Sequence, residues 1–318
     1  MKLAKFLKIS EKRIVAIEWS NAFLRIAQLS KSTSGYQLIA VDAAALGNEC
    51  VSNGQIVDYA EFAETLIDLL KRNNIQTHYA GFVLAQGNTI IKGVRYDKSL
   101  SAKGLYDALL LDMQKHISQG AEDTYFDYQL LGDSMQEGKQ DVLLIAAHKS
   151  DVEPFEKIAR MCHLLPEVLD IDSYLLRRFL QVLYPMDLQE NSCVALVGLN
   201  TFSYKIHFLD ENEIYFNDQK ALGVNLNDEE YINSLIPWFA RNIQMFEVGH
   251  SDIQLKRLFL YGERVEIERL IDNLKEQTEI EIEILDPFKH ISLNNKTLPQ
   301  CPESYVLTLA LATREVIG

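Results

Sequence analysis

Apolar positions set the first pattern in this chain. Residues 13–19 (RIVAIEW), 23–30 (FLRIAQLS) and 35–42 read as three strands, followed by a helix over about 59–74 in which Phe62, Leu66, Leu69 and Leu70 share one face. A strand at 79–85 (YAGFVLA) comes next. The same order returns later, with strands at 193–199, 203–209 and 213–218, a helix over about 228–247, and a strand at 256–261. A helix at 264–276, a strand at 280–285 and a terminal helix at 303–315 complete the pattern, and Pro237 predicts a kink or split in the 228–247 helix. A meander, a helix and a further strand, occurring twice, indicate a duplicated domain, because solenoid repeats have shorter periods.

Between the two halves lies an extra block. It reads as a strand at 88–96, a helix at 101–118, strands at 123–131 and 140–148, and a helix at 151–165 with Ser150 or Asp151 as its cap and Pro154 in its first turn. The chain then returns through 166–172 and a helix at 173–184 to a linker at 184–192. The expected division is therefore 1–87 plus 166–190 for the first half, 88–165 for the inserted β-α-β-β-α subdomain, and 191–318 for the second half.

Composition narrows the function classes. With 318 residues, 47% hydrophobic and 24% charged, the chain is long enough for two globular domains. Its net charge of −14 repels phosphate from most faces and argues against a nucleic-acid partner. No apolar run reaches the roughly 20 residues of a membrane span. MKLAKFLK at the start places Leu3, Phe6 and Leu7 on one helical face and three lysines on another, which suits a weak anionic-surface contact or a solvated end. The four cysteines and seven histidines are scattered without metal-ligand spacing, so no metal site is expected and the thiols read as reduced and buried. Nucleophile-elbow, zincin and Walker motifs are absent, and no catalytic residue is assigned. Asp170 and Asp172 fall on one side of a strand, where helix capping by Asp172 or Ser173 is the commoner role.

Several stretches in order resemble the PilM family of type IV pilus assembly proteins. They are AIEWSNAFLRIAQLS at 16–30, GYQLIAVDAAALGNECVSNGQIVD at 35–58, DVLLIAAHKSDVEPFEKIARMCHLLPEVLDIDSYLLRR at 141–178, LFLYGERVEIERL at 258–270, DPF at 286–288 and ESYVLTLALATRE at 303–315. MshI of MSHA-type pili is a close alternative, and the cytoplasmic domain of GspL shares the architecture. The resemblance implies an α/β, actin-like (duplicated ribonuclease-H-like) fold with an inserted β-α-β-β-α subdomain in the first half, as in the cell-division protein FtsA.

In that fold ATP and Mg²⁺ bind between the halves, each of which supplies a hairpin turn with backbone N–H groups for phosphate and an aspartate for the metal. The first motif, GIDIGSSSVK in the family, is similar to Ala16–Arg25 here, with Glu18 for the aspartate, Ser20 for the glycine, Asn21, Ala22 and Phe23 for the hydroxyl run, and Arg25 at the basic position. The second, VVDIGAxxT, falls on residues 196–204, with Gly198 for the aspartate, Asn200 for the glycine, and Thr201 after it. The adenosine motif, G-G-x or G-G-G in the family, survives only as Tyr261-Gly262-Glu263-Arg264, where Tyr261 and Glu263 add bulk and negative charge. Glu18, Ser20, Asn21, Arg25, Gly198, Asn200, Thr201 and Gly262 are thus expected to be vestigial nucleotide positions, and the family's ATP and Mg²⁺ are expected to be lost.

The resemblance further implies a non-catalytic cytoplasmic scaffold, attached peripherally to the inner membrane through its partner. That partner is the N-terminal cytoplasmic tail of a PilN-like membrane protein, bound in a groove between the inserted subdomain and the first half, with Tyr96, Leu105, Leu109 and Met113 as candidate walls. Other pilus components, motor ATPases among them, and a further copy of the chain are implied partners. The stretch Leu222–Asn233, where the family carries a longer helical insertion, looks trimmed. The alternative is an active actin-like ATPase that binds ATP and self-assembles; a sugar kinase on this fold would lack the same carboxylate.

Overall fold

A computed structural model describes residues 12–33, 35–116, 123–186, 188–294 and 296–316, so the basic MKLAKFLK stretch lies outside the described residues. Residues 1–83 and 158–318 cluster as one compact unit and residues 84–157 as another.

The larger unit holds two sheets. The first runs in the order Leu165–Ile171, Tyr79–Leu84, Val15–Trp19, Phe23–Ser32, Gly35–Ala45, Ile291–Ser292. The second runs Ile214–Ala221, Ser203–Leu209, Ser192–Asn200, Gln254–Tyr261, Glu281–Ile284. In each, the opening strand pairs antiparallel with the next strand and parallel with the strand that follows the helix. Ser192–Asn200 sits mid-sheet and is buried along almost its whole length, which is why its sequence is a continuous apolar run instead of an alternating one. The duplicated meander of the sequence is therefore the actual topology.

The C-terminal segment departs from the expected division. Ile291–Ser292 pairs parallel with Gly35–Ala45, Glu315–Val316 pairs antiparallel with Lys12–Arg13, and the helix Val306–Ala312 packs on the first sheet and on the helix Asp172–Val182. Val306, Leu309, Ala310, Leu311 and Ala312 are buried together with the single polar residue Thr308, so this short helix is covered on nearly every side. One hydrophobic cluster consequently joins Ile14, Ala16, Leu175 and Phe179 to Val194, Phe259 and Leu309.

The inserted unit contains the strands Thr89–Asp97, Thr124–Asp133 and Lys139–His148, with the last in the middle, and the helix Ala102–His116. The helix Lys149–Met161 carries the chain onward. The expected order β-α-β-β-α is present, but the unit ends before residue 165 because Leu165–Ile171 is an edge strand of the first sheet. Pro154 lies in the second turn of its helix, which starts two residues earlier than expected. Pro237 does not split the helix Asp228–Gly249, which runs through it from a capping box formed by Asn227 and Glu230. Residues 222–227 alone link the second meander to that helix, so the connection is as short as the sequence implies.

Candidate functional site

The two hairpin turns that carry the motif residues meet at one carboxylate. In the first turn Ser20 Oγ accepts the backbone N–H groups of Ala22 (3.2 Å) and Phe23 (3.1 Å), while Ser20 N–H donates to the Phe23 carbonyl (2.9 Å). These N–H groups are thus engaged within the turn itself. Asn21 faces another way: its Oδ1 accepts the N–H of Gly54 (2.9 Å), and Trp19 Nε1 donates to the Gly54 carbonyl (2.9 Å). Gly54 lies in the short hairpin of Val51–Ser52 and Gln55–Ile56, which these two bonds tie to the turn.

In the second sheet Gly198 is opposite Lys205 and beside Tyr261. A Cβ on Gly198 would come within 2.7 Å of the Tyr261 ring and hydroxyl, so Tyr261 fills the space a side chain would need. Gly262 has φ +110°, and a Cβ there would meet the Leu199 carbonyl oxygen at 2.5 Å. Only glycine allows this approach, which Arg264 N–H to the Leu199 carbonyl (3.0 Å) and Gly262 N–H to the Glu303 carbonyl (3.1 Å) hold in place. Asn200 contributes its carbonyl to Tyr231 Oη (3.1 Å).

This backbone approach projects Glu263 between the turns. Its Oε1 accepts Ser20 Oγ (2.5 Å) and Arg25 Nη2 (2.7 Å), and its Oε2 accepts Thr201 Oγ1 (2.8 Å) and the Thr201 N–H (3.1 Å). Arg25 also donates to Ser304 Oγ (3.1 Å) and, at 3.4 Å, to Glu18, which Thr308 Oγ1 meets at the same distance. The side chains of Arg25 and Glu263 are 4% and 5% exposed. Burial pushes the Glu263 carboxyl up, but the Arg25 charge and the bonds from Ser20, Arg25 and Thr201 together hold it below the usual carboxylate range. Glu18 goes the other way: burial raises it, Arg25 only partly offsets that, and the Glu263 charge adds to the rise.

Six of the eight expected positions thus fall around this junction: Glu18, Ser20, Arg25, Gly198, Thr201 and Gly262. Asn21 accepts from the Gly54 backbone instead, and Asn200 gives its carbonyl to the Tyr231 hydroxyl. The partners missed from sequence are Ser304 and Thr308, which the terminal segment brings back, and the ion pair of Lys205 with Asp172 (2.6 Å). The only sequence signal for the bridge was an acidic residue directly after the motif glycine Gly262. Asp170 and Asp172 do not act together: Asp170 binds Arg314 (2.6 Å), while Asp172 is the first residue of its helix, pairs with Lys205 and accepts the adjacent Ser173 N–H (2.9 Å), so neither Asp172 nor Ser173 is the cap. Ile171 is the capping residue there, without a side-chain bond. Among the described residues, no cluster of three His, Cys, Asp or Glu is placed to hold a metal ion, and no helix is long and apolar enough to cross a membrane.

The groove candidates are placed differently from expectation. Leu105, Leu109 and Met113 are 2%, 0% and 2% exposed and form the core of the inserted unit with Val142, Leu144 and Ala146. They face the sheet because the helix has to bury one stripe, and so they cannot wall a groove. Tyr96 is half-buried and donates its hydroxyl to Asp112 (2.9 Å); Tyr106, Leu110 and Leu111 are exposed large apolar residues of the helix Ala102–His116.

Residues 16–235 match the family model of the type IV pilus assembly protein PilM. The chain belongs to the PilM family. Among solved structures, it is similar to the PilM-PilN type IV pilus biogenesis complex, at 15% identity with a TM-score of 0.78 over 96% of this chain and 99% of that one. A Bacteroides thetaiotaomicron protein with an actin-like ATPase fold matches at 13% identity and a TM-score of 0.50, over 99% of this chain and 100% of that one. The ethanolamine utilization protein EutJ from Carboxydothermus hydrogenoformans matches at 8% identity and 0.50, over 94% and 88%. The fold of this PilM family member is therefore actin-like.

Proposed function

We propose that the protein is a non-catalytic scaffold of a type IV or MSHA-type pilus assembly machine, cytoplasmic and held at the inner membrane by binding the N-terminal tail of a PilN-like protein. Family membership supports the pilus role, and the likeness to a PilM-PilN complex supports the partner. On this reading the protein is a pseudo-ATPase. The observation that carries it is Tyr261, whose ring fills the space over Gly198 where the fold's second metal-organising aspartate would stand. The remaining residues do not fit Mg-ATP either. Glu18 is engaged by Arg25 and Thr308, and the Ala22 and Phe23 N–H groups of the first turn are bonded within it. A buried carboxylate, Glu263, opposes the entry of phosphate charge. Motor ATPases and a second copy of the chain are further partners on this reading.

Two titrations test it. Calorimetry with a PilN-like tail peptide is expected to give saturable binding, and calorimetry with Mg-ATP no heat at micromolar concentrations. Micromolar Mg-ATP affinity together with nucleotide-dependent sedimentation would replace the scaffold by an active, self-assembling ATPase.

A further inference from the structure

We infer that the junction of the two turns is an oxyanion-binding site whose ligand is built into the chain: the Glu263 carboxylate occupies the place of a phosphate-class anion and ties the two sheets together without nucleotide. The inference rests on the pseudo-ATPase reading and adds what fills the site. An ordinary surface ion pair has one cation and one anion in water. Here four donors of three chemical kinds converge on one carboxylate: the Ser20 and Thr201 hydroxyls, the Thr201 backbone N–H and the Arg25 guanidinium. Hydroxyls, a turn N–H and a guanidinium form the donor set that recognises a phosphate or carboxylate group.

The donors come from both sheets. Ser20 and Arg25 belong to the opening hairpin, and Thr201 to the hairpin Ser192–Asn200/Ser203–Leu209. Each carboxylate oxygen serves one side, Oε1 the first and Oε2 the second. Gly262 makes this possible, since its close approach to Leu199 sets the height from which Glu263 reaches the gap. Glu18 also lies at the junction, 3.4 Å from Arg25, so the guanidinium pairs with two carboxylates, while Lys205 and Glu303 act on the group electrostatically.

The prediction is that removing the tethered carboxylate leaves an anion site empty. Glu263→Ala is expected to melt several degrees below wild type and to recover in millimolar inorganic phosphate, saturably and beyond any effect of sodium chloride at equal ionic strength. Wild type, with the site filled, is expected to show no such selectivity. The double variant Glu263→Ala/Arg25→Gln is expected to lose it. Equal responses to phosphate and chloride in Glu263→Ala, or undiminished recovery in the double variant, overturn the inference. Should Glu263→Ala not fold, Glu263→Gln decides by hydrogen exchange. Joint loss of protection in residues 20–23 and at Thr201 supports a bridge, and unchanged protection in either turn overturns it. Wild-type binding of Mg-ATP would defeat the pseudo-ATPase reading and this inference with it, whereas absent phosphate recovery defeats this inference and leaves that reading standing.

Discussion

Gly198 and His207 show how much one residue's surroundings decide. Gly198 is a glycine because Tyr261 occupies the space beside it, so Gly198→Ala is expected to destabilise by about 1–3 kcal/mol through overpacking. A smaller residue at 261 should reduce that penalty, and a denaturant double-mutant cycle with Tyr261→Leu measures the coupling. His207 is buried in the same sheet with its Nδ1 unpartnered. Burial pushes its pKa down to about 4, with Asp172 opposing and Lys205 reinforcing the shift. A depressed histidine pKa stabilises the fold above the unfolded value near 6.5, and that stability is lost as pH falls towards 4, by about 3 kcal/mol across the window. Denaturant midpoints of wild type and His207→Asn should therefore converge as pH drops from 7 to 4. Parallel profiles would show that this imidazole takes up its proton equally in both states.

Among the elements, the two helices expected from 59 and from 228 start where the apolar pattern placed them, and each has a side-chain cap there. Asp58 caps the helix Tyr59–Arg72 by accepting from Ala60 and Glu61, and Asn227 caps Asp228–Gly249. Asn227→Ala, which breaks a reciprocal cap, is expected to cost about 1 kcal/mol, read as a lower midpoint with an unchanged m-value. The helix expected over 264–276 is reduced to Leu270–Lys275 because Arg269 takes a left-handed conformation (φ 63°) just before it. The terminal helix, expected from 303, begins only at Val306 after a 3-10 turn at Pro302–Tyr305. Neither could be read from apolar spacing, which fixes a face and leaves backbone handedness open.

For the whole molecule, the core joining both sheets predicts cooperative unfolding of the larger unit. Leu309 is fully buried among residues of both halves, so Leu309→Ala is expected to cost about 2–5 kcal/mol. The two tryptophans, Trp19 in the first sheet's hairpin and Trp238 beside the second sheet, should report that loss in one transition. Trp→Phe variants that isolate each signal would expose two midpoints if the halves unfold separately.

The sequence by itself determined the duplicated meander, the β-α-β-β-α order of the insertion and the altered turn motifs, because strand alternation, helix stripes and short motifs are local properties of the chain. Tertiary structure alone decided that Ile291–Ser292 and Val306–Ala312 return to the first sheet, that Leu105, Leu109 and Met113 are core, and that Glu263 lies between the two turns. Those outcomes depend on which apolar faces find each other and on contacts such as Ser20 with Glu263, 243 positions apart, which no local pattern encodes.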